Sequence, residues 1–243
     1  MIGRLASHRT KIERIRECHA TNKLSEPMPL PAADQKIYHI VNVDKLPSII
    51  TEGRIYCDAE MAKKSALGGT TIGMNAIKNR RFSLPVSCYS DARVSDFTPF
   101  YYCPRSVMLY VIHCANNPEL TYRGGQDPIV HLEADLGKVI DWADERGHSW
   151  TIAGSNAGAA YTKFWRSKAD LGNLNWAHIA ARQWAASEIK EAKQAEFLFY
   201  HHFPWHLVER IGVNTLATFH AATAAVKNAT HKPAVQQMPA WYY

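Results

Sequence analysis

From Phe197 to Phe203 the chain reads Phe-Leu-Phe-Tyr-His-His-Phe, an almost unbroken run of aromatic, leucine and histidine side chains. Such a run reads as a strand buried in the middle of a sheet. One carboxylate, Glu196, stands at its mouth, directly after a polar helical stretch through Lys190, Glu191 and Lys193. A carboxylate where a helix hands over to a buried strand is partly desolvated and held by rigid backbone. That setting suits a group that stabilises a cation or accepts a proton. The same glutamate could instead merely pair with Lys193 or Arg182 at a sheet edge, and the rest of the chain has to decide.

A chain of 243 residues fits one large domain or two small ones, and 47% hydrophobic against 21% charged residues allows a sizeable core. The net charge of +6 and a pI of 9.0 favour an acidic partner such as nucleic acid. The five cysteines, at 18, 57, 88, 103 and 114, form no close pair, as a reducing compartment permits, and suggest neither a disulfide framework nor a zinc site. No window reaches the ~18 apolar residues of a membrane span, and the basic N-terminus lacks a signal peptide's apolar run. A soluble, cytoplasmic monomer is the expectation.

The chain divides into a basic helix over 8–19 with a linker carrying Pro27, Pro29 and Pro31 (1–36 together), a domain over 37–230, and a tail over 231–243. Ile37 to Val41 reads as a strand. Asp44 can cap a helix over Lys45–Glu52 that Gly53 stops, and Arg54–Cys57 is a second strand. Residues 58–75 are polar and glycine-bearing, like a functional loop. Val107–His113 is apolar enough for a central strand, Ile129–Leu132 reads as another, and Asp135 caps a helix to Arg146. Residues 149–175 carry little regular pattern. Trp176–Lys193 has helical spacing, Trp205–Arg210 reads as a short helix, and an alanine-rich helix begins near Asn214. Short strands among helices, out of strict alternation, make an α+β fold.

Several residues could carry chemistry. Arg80 and Arg81 are adjacent and project differently, so at most one can enter a given cleft; a guanidinium suits a phosphate, and a helix end could equally use both as solvated charges. His39 on a strand is either a core residue or a ligand contact. His201, His202 and His206 have no Cys or carboxylate at ligand spacing, so no metal is expected. Ser155 lacks a nucleophile elbow, and Gly68-Gly69-Thr70 lacks the Gly-Lys-Ser/Thr ending of a phosphate loop. Tyr161, Phe164 and Trp165 could stack on bases while Lys163 and Arg166 meet phosphates, although Phe164 and Trp165 could as well be core.

Taken in order, Tyr38-His39-Ile40 with Leu46-Pro47-Ser48-Ile49-Ile50 and Gly53, Ile72-Gly73 with Ile77 to Arg81, Pro99-Phe100-Tyr101 with Pro104 to Tyr110, and Lys193 to Phe197 with Phe203-Pro204-Trp205 resemble the DarT family. These are DNA ADP-ribosyltransferase toxins of the DarT–DarG toxin–antitoxin systems, and the resemblance spans about residues 37–215. It implies an ADP-ribosyltransferase fold related to the poly-ADP-ribose polymerases, with a split central mixed sheet and flanking helices. NAD would be the co-substrate, single-stranded DNA the acceptor and a macrodomain antitoxin the partner. Glu196 would be catalytic, with one of Arg80 and Arg81, preferably Arg81. His39, Ile40, Gly73, Arg81 and Tyr101 would hold NAD. DNA would meet Asn156, Tyr161, Lys163, Arg166 and Arg105. Thymine is the usual acceptor in the family and guanine serves in one branch. Val41-Asn42 and Ser155-Asn156-Ala157-Gly158 depart from the family's usual Thr-His and more acidic turn. Two other readings stay open: a protein- or small-molecule-directed ADP-ribosyltransferase, and a non-enzymatic nucleic-acid binder.

Overall fold

The computed structural model describes residues 35–64 and 67–243; the N-terminal basic helix and proline-bearing linker read from the sequence fall almost wholly outside the described residues. In chain order, β1 (Lys36–Asn42) leads into α1 (Leu46–Glu52), β2 (Arg54–Tyr56), α2 (Asp58–Lys63) and α3 (Asn75–Ser83). Then come β3 (Phe97–Tyr101), α4 (Val107–Cys114), β4 (Ile129–Asp135), α5 (Leu136–Glu145), β5 (Trp150–Ala153) and β6 (Phe164–Trp165). The last third holds α6 (Trp176–Ala180), α7 (Ser187–Ala192), β7 (Glu196–Tyr200), β8 (His202–Pro204), β9 (Arg210–Val213), α8 (Leu216–Val226) and β10 (Ala234–Gln237).

Eight strands make one mixed sheet in the order β10-β9-β4-β1-β3-β7-β5-β6, and β2 pairs with β8 in a separate two-stranded sheet. Every neighbouring pair is antiparallel except β9 with β10. β1 and β4 pair over seven residues, whereas β1 and β3 meet only at Tyr38 and Tyr101. The sheet is therefore split between β1 and β3, and a cleft opens there. One face packs Phe100, Phe197, Phe199, Phe203, Leu132 and Trp150 against helices that include α1 and α5. The other packs Tyr38, Ile40, Leu109, Ile112, Trp241 and Tyr242. This is the expected α+β architecture.

Five readings change. The Val107–His113 segment is helix α4 and not a strand. Ser106 caps it, its Oγ accepting from the Leu109 amide at 3.2 Å. It is apolar all round because Leu109 and Ile112 enter the core while Val107, Met108 and Val111 line a cavity. The 176–193 helix is two helices, because the buried Lys193 ammonium binds the carbonyls of Ile179 (2.8 Å) and Ala181 (2.9 Å) where α6 ends. The aromatic strand breaks at His201, whose φ of 58° turns the chain from the large sheet into the small one. The last residues, read as a tail, add β10 to the sheet and bury Trp241 and Tyr242. Likewise, Arg210 begins β9 instead of ending a helix; only Trp205–Leu207 forms a short 3-10 turn.

Candidate active site

The split in the sheet opens into a cavity of about 570 Å³, a volume in the range of ligand sites. β7 carries Glu196 to its wall: antiparallel pairing sets Glu196 opposite Tyr101 on β3 and opposite Ala153 on β5. The strand cannot slip, since Phe197, Leu198 and Phe199 are fully buried beyond it. α3 delivers Arg81, and the Arg81 Nη1 donates to Glu196 Oε2 at 3.0 Å. Both side chains are buried, 7% and 6% exposed, and both line the cavity. Arg80 is exposed and does not line the cavity, its carbonyl accepting from the Ser83 hydroxyl. Of the two adjacent arginines, Arg81 is therefore the one in the cleft.

The pair is electrically self-sufficient. Burial works against the Arg81 charge, but the carboxylates of Glu196 and Asp58 outweigh it and hold the guanidinium firmly protonated. Its Nε and Nη2 are buried without a hydrogen-bond partner among the described residues. Buried donors in that state mark a place built for an acceptor that arrives with a ligand. Burial, with the nearby Glu196 charge, also pushes the Tyr101 phenol up, keeping it a neutral donor.

His39 sits on β1 across the split. Its Nδ1 lies 2.7 Å from the Pro99 carbonyl, which can only accept, so Nδ1 carries the proton and Nε2 is left as an acceptor. Burial lowers its pKa, more than the Pro99 carbonyl raises it, so the ring is neutral near pH 7. Ile40, Gly73 and Tyr101 line the same cavity, so all five residues assigned to the NAD set, Arg81 included, converge there. The DNA set divides. Asn156 lines the cavity and donates to Gln194 Oε1 at 3.1 Å. Tyr161, Lys163 and Arg166 are exposed beside edge strand β6, and Arg105 stacks its guanidinium 4.2 Å from the Tyr243 ring.

The sequence reading passed over Lys45, Asp58, Lys78 and Gln194, which also line the cavity. Gln194 alone left a signal, lying two residues before Glu196. Asp44, read as a helix cap, does another job. Asn42 caps the 3-10 turn Val43–Lys45 ahead of α1 by accepting from the Asp44 amide, α1 itself begins without a side-chain cap, and the Asp44 carboxylate accepts from the Thr70 amide (3.0 Å) and hydroxyl (2.6 Å). That contact ties down the segment whose Thr70, Thr71 and Ile72 line the cavity. Among the described residues no group of three His, Cys, Asp or Glu side chains could hold a metal, and no helix is long and apolar enough to cross a membrane.

Comparison with known proteins agrees with this geometry. Residues 38–243 match the family model described as "ssDNA thymidine ADP-ribosyltransferase, DarT". A DNA ADP-ribosyl transferase of Thermus sp. (strain 2.9) is 32% identical over 224 residues, 91% of this chain and all of the relative. The structure of Thermus sp. 2.9 DarT in complex with ADP-ribosylated ssDNA superposes with a TM-score of 0.76 at 30% identity, covering 86% of this chain and 97% of that one. The same protein in complex with NAD+ gives 0.70 at 29% identity, with 86% and 98% covered. The chain has the ADP-ribosyltransferase fold and belongs to the DarT family of NAD-dependent DNA ADP-ribosyltransferases.

Proposed function

We propose that this chain transfers ADP-ribose from NAD onto thymine in single-stranded DNA, and that Glu196 and Arg81 carry the transfer. The observation that carries the reading is the buried Arg81–Glu196 pair in the cavity wall, with two guanidinium donors left open. Cleaving the nicotinamide–ribose bond puts positive charge on the anomeric carbon. Glu196, fixed by Arg81 and by the strand, supplies the opposing charge without reorganisation. The neutral His39, with Nε2 free to accept, suits a hydroxyl of the nicotinamide ribose. Nicotinamide leaves with the bond electrons, thymine N3 bonds to the anomeric carbon, and the N3 proton passes to Glu196. The open Arg81 donors suit the neighbouring thymine carbonyl oxygen, which gains negative charge as that proton departs.

Thymine N3 is occupied in a base pair, so a duplex would have to be opened first, at a cost of a few kcal/mol. Asn156 and Gln194, which line the cavity with Glu196, would meet the acceptor base, and the exposed Tyr161, Lys163 and Arg166 would follow the flanking strand. The family description and the Thermus complex with ADP-ribosylated ssDNA support both acceptor and strandedness. A toxin role, with a macrodomain partner that strips the modification, follows from the family resemblance.

The test is labelled NAD offered with one oligonucleotide as single strand, duplex and RNA, and with thymine replaced throughout. Label on the thymine-bearing single strand alone is the expected result. Label on protein, on duplex in preference to single strand, or on the thymine-free strand would contradict the reading, the last in favour of guanine. Cells should grow poorly with the wild type and normally with Glu196→Gln; equal growth would count against a toxin.

A further inference from the structure

Glu196 takes Nη1 of Arg81, and the proposed transfer uses Nε and Nη2, so the diphosphate of NAD needs counter-charge elsewhere. Two lysines stand in the cavity wall, Lys45 immediately before α1 and Lys78 in α3. Lys78 Nζ lies 3.0 Å from Oδ1 of Asp58, itself a cavity residue in the first turn of α2. All three charged residues line the cavity, as His39 does. After burial, the charge of Lys78 is what most lowers the Lys45 pKa, while Asp58 and the two lysines act on His39 in opposite senses. Both lysine stems are packed and directed. A Cβ on Gly73 would lie 3.1 Å from Lys78 Cε, and one on Gly69 would lie 2.7 Å from Lys45 Cγ. The glycines thus let the 67–75 segment lie directly on the two side chains.

We propose that Lys45 and Lys78 form a diphosphate subsite, and that Asp58 is an internal competitor which holds Lys78 until a dinucleotide displaces it. This rests on the reading of the cavity as the NAD site. The Lys78–Asp58 pair is about a third and a quarter exposed, so it is weak enough to exchange. A diphosphate brings two negative charges against the one it replaces, and it bridges two ammonium groups where Asp58 reaches one. Asp58 thereby sets the affinity for NAD without touching the reacting atoms.

The test is equilibrium titration of the full chain with NAD, ADP-ribose and adenosine, for wild type, Asp58→Asn, Lys78→Met and the double variant, each with a melting temperature as a folding control. Asp58→Asn should tighten NAD and ADP-ribose by about 3- to 10-fold and leave adenosine unchanged, and Lys78→Met should weaken both diphosphate ligands by a similar factor. In the double variant Asp58→Asn should add nothing, since its target is gone. Unchanged or weaker NAD binding in Asp58→Asn, or an equal effect on adenosine, would overturn the competitor. Wild-type protein that binds neither NAD nor ADP-ribose would instead overturn the cavity assignment itself, before any variant is compared.

Discussion

Glu196 and Arg81 are each buried in a place that neither charge could occupy alone. Removing one partner of a buried pair leaves the other uncompensated, at a cost of about 3–5 kcal/mol when closed off, and less beside a cavity that water can enter. Glu196→Ala should therefore lower the melting temperature as well as abolish transfer. Glu196→Gln, which keeps an acceptor for Arg81 but not the opposing charge, should abolish transfer and lower the melting temperature by less than Glu196→Ala does; an unaltered melt for Glu196→Ala would show that the pair is not sealed as described. His131 is the other charged-state liability. It is fully buried, its Nε2 donates to the Pro104 carbonyl at 2.9 Å, and its Nδ1 has no partner among the described residues. Burial lowers its pKa to about 4 from the usual 6.5, outweighing the Pro104 carbonyl. The folded state thus excludes a proton that the unfolded state binds. Stability is fully present above pH 6.5 and falls by up to about 1.4 kcal/mol per pH unit as pH drops toward 4. His131→Phe should flatten that slope in urea titrations between pH 7 and 4.5; an unchanged slope would assign it to other groups. Glu196 stood out as a lone carboxylate before a buried aromatic run, but that position fits an edge ion pair as well, and the family resemblance is what pointed to catalysis. Lys45, Asp58 and Lys78 did not stand out, since three charges spread over 34 residues converge only through the folded loop.

At the scale of elements, the sheet's hinge is His201. A non-glycine residue at φ 58° costs roughly 1–2 kcal/mol, and a β-branched side chain fits there worst. Its backbone is held on both sides, the amide donating to Asp96 O at 2.7 Å and the carbonyl accepting from the Cys57 amide at 2.9 Å. His201→Val should reduce unfolding free energy by about 1–2 kcal/mol while His201→Gly is tolerated, both read by urea denaturation. Equal stability of the two variants would mean the hinge stores no strain. The same element shows what pattern reading can and cannot reach. The aromatic run signalled burial correctly at Phe197, Leu198, Phe199 and Phe203, but His201 between them is exposed, and burial alone does not reveal that the two halves belong to different sheets. Strand β1, helix α5 and the glycine stop of α1 at Gly53 were legible because their signals are local: β-branched residues, the Asp135 cap and a left-handed turn. Helix α4 was not, since its cavity-lining face is as apolar as its core face, and only Ser106 hinted at a cap. The split of α6 from α7 depends on the Lys193 ammonium reaching back twelve and fourteen residues, which no periodicity reports.

Across the whole molecule, the C-terminal segment closes the fold. β10 lies parallel on β9, Trp241 packs edge-on against Tyr38 at 5.1 Å, and the Tyr242 hydroxyl donates to the carbonyls of Ile129 and Gly212. Gly212 makes room for the Trp241 ring, which a Cβ there would overlap. Trp241→Ala should cost about 3–5 kcal/mol, and removal of residues 234–243 more, seen as a lost or broadened thermal transition. A truncated chain that melts like the wild type would show the segment to be accessory. The split between β1 and β3 is the complementary feature, a gap that this closure leaves for the cavity. Its chemistry is tested most directly by single-turnover transfer from labelled NAD to a thymine-bearing single strand, with NAD saturating, for wild type and Glu196→Gln. The assignment of Glu196 and Arg81 predicts a rate at least about a hundredfold lower in the variant at similar NAD affinity. A variant that transfers at nearly the wild-type rate while binding NAD equally well would contradict it.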